Sequence, residues 1–392
     1  MHAQGIVHRF FQTHLTSIHR ARQQLFSAAV TAVMRGHWLS LSRLGRGVAG
    51  SGTLKAALKR IDRLIGNARI EAESESVGAA LIRRACTMTH ELVIAVDWSA
   101  ASPGGTFVEL RATVTWLGMG RGLTVFQRVY PAKMAGSPKA QKALLTTLQR
   151  WIPAHMPVVF MTDAGFRRPW FKQVEDLGWS WIGRIRGGVN ISRDGRSWTN
   201  ATDWFADATG RAVRWINGRL TSRWNWPCDF VLYRRPTIPR KHYCRPGYAQ
   251  KPKAIREARA RENDPWLLAL SARLRHYRPD EIVALYTRRM QIEESFRDNK
   301  SSTFGMGMSI ARSRSALRLQ ALLLIATIAA FILWNLGQLA EAEGLHRRFK
   351  VTTRKARELS VIAIAILLCG LPSLPFTQHA RMSLFRRLGI SR

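Results

Sequence analysis

Two short stretches limit this chain more than any others: Leu92 to Val96 followed by Asp97 (LVIAVDW), and Val158 to Met161 followed, one residue on, by Asp163 (PVVFMTDAGF). An unbroken apolar run of about five residues suits a strand covered on both faces rather than one with a wet side. Each therefore reads as a buried strand whose end delivers an acid. Between them, TFVELRATVTW and LTVFQRVYP are two more strand-like runs set apart by Gly and Ser clusters, and Ser137 to Trp151 has the pattern of a helix. After Asp163, Phe166 to Leu177 continues as a helix and WSWIGRIRGG as a fifth strand.

Three antiparallel strands, a crossover helix and a further strand beside the first is the order of an RNase H-like core. The expected fold class is α/β: such a core interrupted by a mostly β insertion, with helical regions at both ends. If the first and fourth strands are neighbours, Asp97 and Asp163 face one cleft. A third acid comes from a helix. Pro279, Asp280 and Glu281 suit a first helical turn, and no Gly or Pro follows until Gly305, which predicts one helix of about five or six turns. At about 100° per residue, Tyr286, Arg289, Glu293 and Lys300 fall in a stripe about 60° wide, while Leu285, Ile292 and Phe296 form the face to be buried. Glu294 lies about 80° from Tyr286 on the other side, so Glu293 is the acid that belongs to the stripe.

Taken singly, these residues have ordinary roles. Arg289 and Glu293 could be a surface ion pair worth a few tenths of a kcal/mol, and Asp163 could cap the helix that follows it. Taken together, acids from two strand ends and one helix are the hard oxygen donors that a pair of divalent cations requires for phosphodiester chemistry. In that reading Asp97 bridges both ions, Asp163 and Glu293 each complete one, and Arg289 and Lys300 clamp backbone phosphates.

The spacing Y-x-x-R-x-x-x-E-x6-K over Tyr286, Arg289, Glu293 and Lys300 joins VDWS around Asp97 and DAGFRRPWF with the following LGWSWIGRIRG after Asp163. Together these resemble the cut-and-paste DDE transposases of bacterial insertion sequences, and among them the IS-four type that includes the IS-ten and Tn-five elements. The similarity runs from about Leu39 to about Arg314. It implies an enzyme using two Mg²⁺ ions, with Mn²⁺ as a substitute, that binds the terminal inverted repeats of an element and nicks to free a 3′ hydroxyl. A hairpin is then formed and resolved, and the end is joined to target DNA, with two copies of the chain acting as a homodimer in a synaptic complex. The resemblance also implies that Tyr286, Arg289 and Lys300 hold the phosphates flanking a flipped base, and that Trp266 (DPWLL) stands where the family stacks a tryptophan on that base. Core packing is the other role open to Trp266. Two further classes remain: a structure-selective RNase H-like nuclease, which needs the acids but no end-binding domain, and a catalytically idle DNA-binding regulator.

Charge points the same way. Of 392 residues, 61 are Lys or Arg and 25 are Asp or Glu, a formal net charge of +36, which calls for a polyanionic partner, with double-stranded DNA favoured over a membrane. The 46% of apolar residues is ample for a core. The four cysteines lack paired short spacing, so neither zinc nor a disulfide framework is indicated and a reducing cytoplasm is expected; the resemblance implies a bacterial one, with the protein close to the nucleoid.

Residues 1–61 contain no Asp or Glu, and this acid-free stretch outruns an organelle transit peptide. Residues 1–75 are expected to form a helical element-end-binding domain. In it Ser40, Ser42 and Thr53 open short helices that expose Arg43, Arg46, Lys55, Lys59, Arg60 and Arg63. Residues 88–187 are then the first part of the core, 188–275 the Trp-, Gly- and Arg-rich β insertion, and 276–312 the helix with the third carboxylate. Within the insertion, Arg234 to Arg261 holds ten basic residues, one acid and four prolines and reads as a phosphate-tracking loop. Residues 313–392 are expected to form a C-terminal helical region that packs on the core, since the apolar run Ala321 to Trp334 is shorter than the roughly 20 residues that span a bilayer; it is also a candidate for dimer contacts.

Overall fold

The computed structural model describes residues 2–50, 52–236, 264–353 and 356–390. Most of the basic loop expected between Arg234 and Arg261 lies outside the described residues. The fold is mixed α/β and divides into two compact units, Met1–Met156 with Met290–Arg392, and Pro157–Arg289.

In the first unit, helices α1 (Ala3–His14), α2 (Arg20–Met34), α3 (Leu41–Gly47), α4 (Leu54–Ile65) and α5 (Ile70–Cys86) precede strands β1 (Leu92–Ala100), β2 (Phe107–Val114) and β3 (Leu123–Pro131). Ser40 and Thr53 open α3 and α4 as expected: each side-chain oxygen accepts a backbone N–H of the first turn, from Arg43 and Ala56. The expected domain boundary at residue 75 falls inside α5. The strands form an antiparallel meander in which Asp97 lies opposite Arg111 and Ser99 opposite Glu109. Leu92 to Val96 are buried, and exposure begins at Asp97. The apolar run thus ends where its covering ends. Helix α6 (Pro138–Trp151), with proline in its first turn, follows the meander.

Helix α9 (Met290–Lys300) packs on β1 and β2, and α10 (Ala316–Ala342) packs on β3, α2, α4 and α5 and on two later helices, α11 (Val361–Cys369) and α12 (Gln378–Leu388). The 14-residue apolar run belongs to a helix almost twice as long. By length and composition α10 could cross a membrane, but 78% of its most apolar window is buried inside the protein. From this helix Gln320 reaches the sheet, accepting from Val129 N at 2.9 Å and donating to Gln127 O at 3.0 Å, as a neighbouring strand would.

Charged residues on β2 face α9 rather than water. The Arg111–Glu109 pair is 2.8 Å apart with both side chains 1% exposed. Arg111 also donates to Ser295 Oγ at 2.9 Å, and its guanidinium lies 4.4 Å from the centre of the Phe296 ring. The strand and the acid-bearing helix are therefore joined through one side chain.

In the second unit, β4 (Val158–Thr162) is buried along its length and runs parallel to β5 (Ser180–Ile185), with α7 (Arg168–Asp176) between them in sequence. From β5 the sheet continues through β10 (Trp266–Leu270), β9 (Trp226–Tyr233), β8 (Val213–Leu220), β6 (Asn190–Ser192) and β7 (Thr199–Asn200), all antiparallel. The insertion is thus β-rich, as expected, and extends the sheet from its β5 side. Helix α8 (Pro279–Thr287) begins with its proline and two acids.

The single helix expected from Pro279 to Lys300 is instead two. Arg288 N and Arg289 N bond Leu285 O and Tyr286 O, three residues back rather than four, a tighter turn with which α8 ends before α9 begins. No Gly or Pro signals it. The angular argument consequently holds for Glu293 and Lys300, both on α9, and not for their relation to Tyr286 and Arg289.

Two stability predictions follow from this packing. Breaking a buried ion pair strands a charge, so Arg111→Met alone should lose about 3–5 kcal/mol in urea unfolding, whereas Glu109→Leu combined with Arg111→Met should recover most of that loss. A double variant no more stable than the single would refute the pairing. At Gly337 an added Cβ would run into the Val361 carbonyl, where α10 meets α11. Gly337→Ala should thus destabilise by about 1–3 kcal/mol, although helix propensity alone would favour alanine by about 1 kcal/mol. A raised melting temperature would contradict the contact.

Candidate active site

The first unit holds Asp97, Glu293 and Lys300. Asp97 sits where β1 leaves cover, half-buried, with Oδ1 accepting from Trp98 N at 2.7 Å. Glu293 is half-buried in the first turn of α9, and Lys300, seven residues on, returns to about the same face. Lys300 turns inward: Nζ donates to Ser99 Oγ at 2.6 Å and lies 5.4 Å from the Phe296 ring centre. Burial lowers its pKa, Glu109 and Asp97 oppose that shift, and Arg111 adds to it. One cationic side chain is in this way held against β1, two residues from Asp97.

Glu294 has a different set of partners. It accepts from Arg297 Nη1 at 2.6 Å and pairs with Arg121 at 3.4 Å, while Arg121 Nε donates to Asp298 Oδ2 at 2.6 Å. Burial raises the pKa of Asp298, with Arg121 opposing it. These four residues tie the approach to β3 to α9.

The second unit holds Asp163, Tyr286, Arg289 and Trp266. Asp163 does not cap α7, which starts five residues later with Arg167 at its N-cap. Its Oδ1 instead accepts from Gly165 N at 2.9 Å, fixing the turn that follows β4. The Tyr286 hydroxyl donates to Thr162 O at 3.3 Å, one residue before Asp163, and Arg289 lies 5.9 Å from the Tyr286 ring centre. These three residues therefore gather at the end of β4. Two arginines that the sequence reading passed over join them. Burial, with help from Arg186 and Arg289, pushes Arg184 at the end of β5 down to about 10. The repeated arginine in WIGRIRGG was the signal for it.

Trp266 opens β10. It is 6% exposed, with Tyr286 edge-on at 5.1 Å, Tyr233 at 6.4 Å and the Arg235 guanidinium 5.4 Å from its ring. As the first residue of β10 it packs into the sheet, so core packing describes its state here. Among the insertion tryptophans the exposed one is Trp224, at 51%, flanked by Arg168 and Arg223.

In the N-terminal helices, Arg43, Arg46, Lys55, Lys59, Arg60 and Arg63 are all exposed on α3 and α4. Gly45 lets the two helices close on each other, since a Cβ there would meet Leu58 at 2.5 Å. A short helix, a turn and a basic helix in tight contact is a geometry suited to duplex DNA.

Carboxylates are the donors that hard divalent cations prefer, and the half-buried acids within β1, just after β4 and on α9 are of that kind. Among the described residues, no three His, Cys, Asp or Glu side chains stand as a ready metal cage.

A cryo-EM structure of the piggyBac transposase synaptic complex with hairpin DNA is similar to this chain at 11% identity and a TM-score of 0.43, over 99% of this chain and 85% of that one. No curated protein matches the sequence. The profile of the Transposase DDE domain matches residues 93–331, which include Asp97, Asp163, Tyr286, Arg289, Glu293 and Lys300. With that match spanning more than half of its residues, the chain belongs to the Transposase DDE domain family, whose members are metal-dependent enzymes that cut and join DNA.

Proposed function

We propose that this chain is the transposase of a bacterial insertion sequence of the IS-four type. It binds terminal inverted repeats through its N-terminal helices, cuts each end by way of a hairpin, and joins the freed 3′ ends to target double-stranded DNA as a homodimer. The observation that carries the reading is the family match over 93–331 together with an intact set of Asp97, Asp163, Tyr286, Arg289, Glu293 and Lys300.

Asp97, Asp163 and Glu293 would hold two Mg²⁺ ions, which when bound supply an activated oxygen nucleophile and stabilise the leaving 3′ oxygen. The remaining work belongs to the chain. Arg289 presents a planar fork suited to a backbone phosphate. Lys300, steadied by Ser99, places positive charge beside Asp97 and toward an incoming phosphodiester. Tyr286, hydrogen-bonded to the backbone before Asp163, fixes the second acid's strand end against α8. Glu109 and Arg111 keep α9 in place and so orient Glu293.

Incubation with a duplex carrying the terminal repeats and Mg²⁺ should give a hairpinned end. Glu293→Gln should bind that duplex with wild-type affinity yet cut no faster than the reaction without metal. Glu294→Gln loses only partly exposed ion pairs, worth about 0–1 kcal/mol, and should cut nearly as well as wild type. Equal loss in both would remove Glu293 from its assigned role. Equal cutting of duplexes with and without the repeats would mark a structure-selective nuclease instead.

A further inference from the structure

A cleft of about 720 Å³ opens in the first unit between α3, α4 and the segment that leads into α10. Its floor is apolar, with Ile65, Ala311 and Leu322 buried, while Ser42, Arg43 and Arg312 are exposed at its mouth. Ser40, Ser313 and Arg318 also line it. Arg318 pairs with Asp62 on α4. Among the described residues, Arg43 and Arg312 have no carboxylate partner, so the mouth keeps an unbalanced positive charge. The Arg43 guanidinium is stacked on Trp38 at 4.7 Å, an arrangement that uses its flat face and leaves the N–H edge for a planar anion. Ser313 Oγ is buried without a hydrogen-bond partner.

We propose that this cleft takes the sugar-phosphate backbone of duplex DNA, with phosphates on Arg43, Arg312 and the serine hydroxyls and the sugar edge over the apolar floor. This rests on the end-binding reading and extends it to a part of the chain far from the N-terminal helices in sequence. Helix α4 supplies the link. At about 100° per residue, Leu58, Asp62 and Ile65 form its cleft-facing strip, and Lys55, Lys59 and Arg63 lie about 60° to 140° from Leu58 on one adjoining side. A strand seated at the mouth would thus run beside a row of exposed cations. Residues 310–315, Ile-Ala-Arg-Ser-Arg-Ser, carry no acid and expose Arg312 and Arg314, so the far wall is also basic. The contact is to the backbone and carries no base information.

The test is a salt titration of the full chain on two labelled duplexes, one with the terminal repeat and one of scrambled sequence. Arg312→Ala should weaken both severalfold and reduce the slope of log affinity against log salt by about one. Arg43→Ala with Arg312→Ala should reduce it by about two. Arg312→Lys should restore most of the slope. An unchanged slope in an Arg312→Ala protein that melts at the wild-type temperature would overturn the proposal, as would a loss confined to the repeat. So would a loss of labelled polyglutamate binding with DNA binding intact, which would assign the cleft to an acidic protein partner. Preference of the wild type for the repeat over the scrambled duplex tests end recognition separately. Its absence alongside a reduced slope would retain the cleft and reject that reading, and a wild type that binds neither duplex would reject both.

Discussion

The guanidinium of Arg111 is the joint on which the first unit depends. It sits at the middle of β2 opposite Asp97 in register, is paired with Glu109, and reaches Ser295 and Phe296 on α9. An apolar side chain at this position would fill the same space but would not fix the rotation of α9, because apolar contacts have no direction. Hydrogen bonds do have one. The face of α9 that bears Glu293 and Lys300 is set by donors and acceptors rather than by volume, and Asp97 is set by the end of cover on β1. The two acids of this unit are positioned independently by the same three strands.

The second organising element is α10. It is apolar all round, with neighbours on every side from the N-terminal helices, the edge of the meander and the last two helices. The N-terminal and C-terminal thirds of the chain are therefore parts of one core. The N-terminal helices are not a detachable module, since α2, α4 and α5 each pack on α10 directly. That arrangement ties the basic N-terminal helices to the meander that carries Asp97 through a packed helix rather than a linker.

Much of this was legible in the sequence where the signal was local. LVIAVDW and PVVFMTD show buried strands because a strand covered on both faces tolerates no alternation, although β1 runs three residues past Asp97 to Ala100 and only its covering ends at the acid. Ser40 and Thr53 announced α3 and α4 through capping, and Pro138 and Pro279 marked first turns. What was hidden depended on distant partners. Glu109 and Arg111 alternate with apolar residues in TFVELRATVTW as a wet strand face would, and only α9 lying over them makes that face dry. The break at Arg288 and Arg289 has no Gly or Pro because it arises from a change in hydrogen-bond spacing that ordinary residues accommodate. Trp266 is large and stands in a run, PWLLALSA, as apolar as any core strand. Its burial follows from β5 and β9 on either side of β10, a pairing that nothing local encodes.

The amide of Gln320 against β3 has a further meaning. β3 is the outer strand of its meander, and an outer strand with vacant N–H and C=O groups is an open template for a strand from another molecule. By accepting from Val129 N and donating to Gln127 O, one glutamine from α10 occupies that template from within the same chain. The chain thereby closes, from within its own fold, one route to edge-to-edge aggregation.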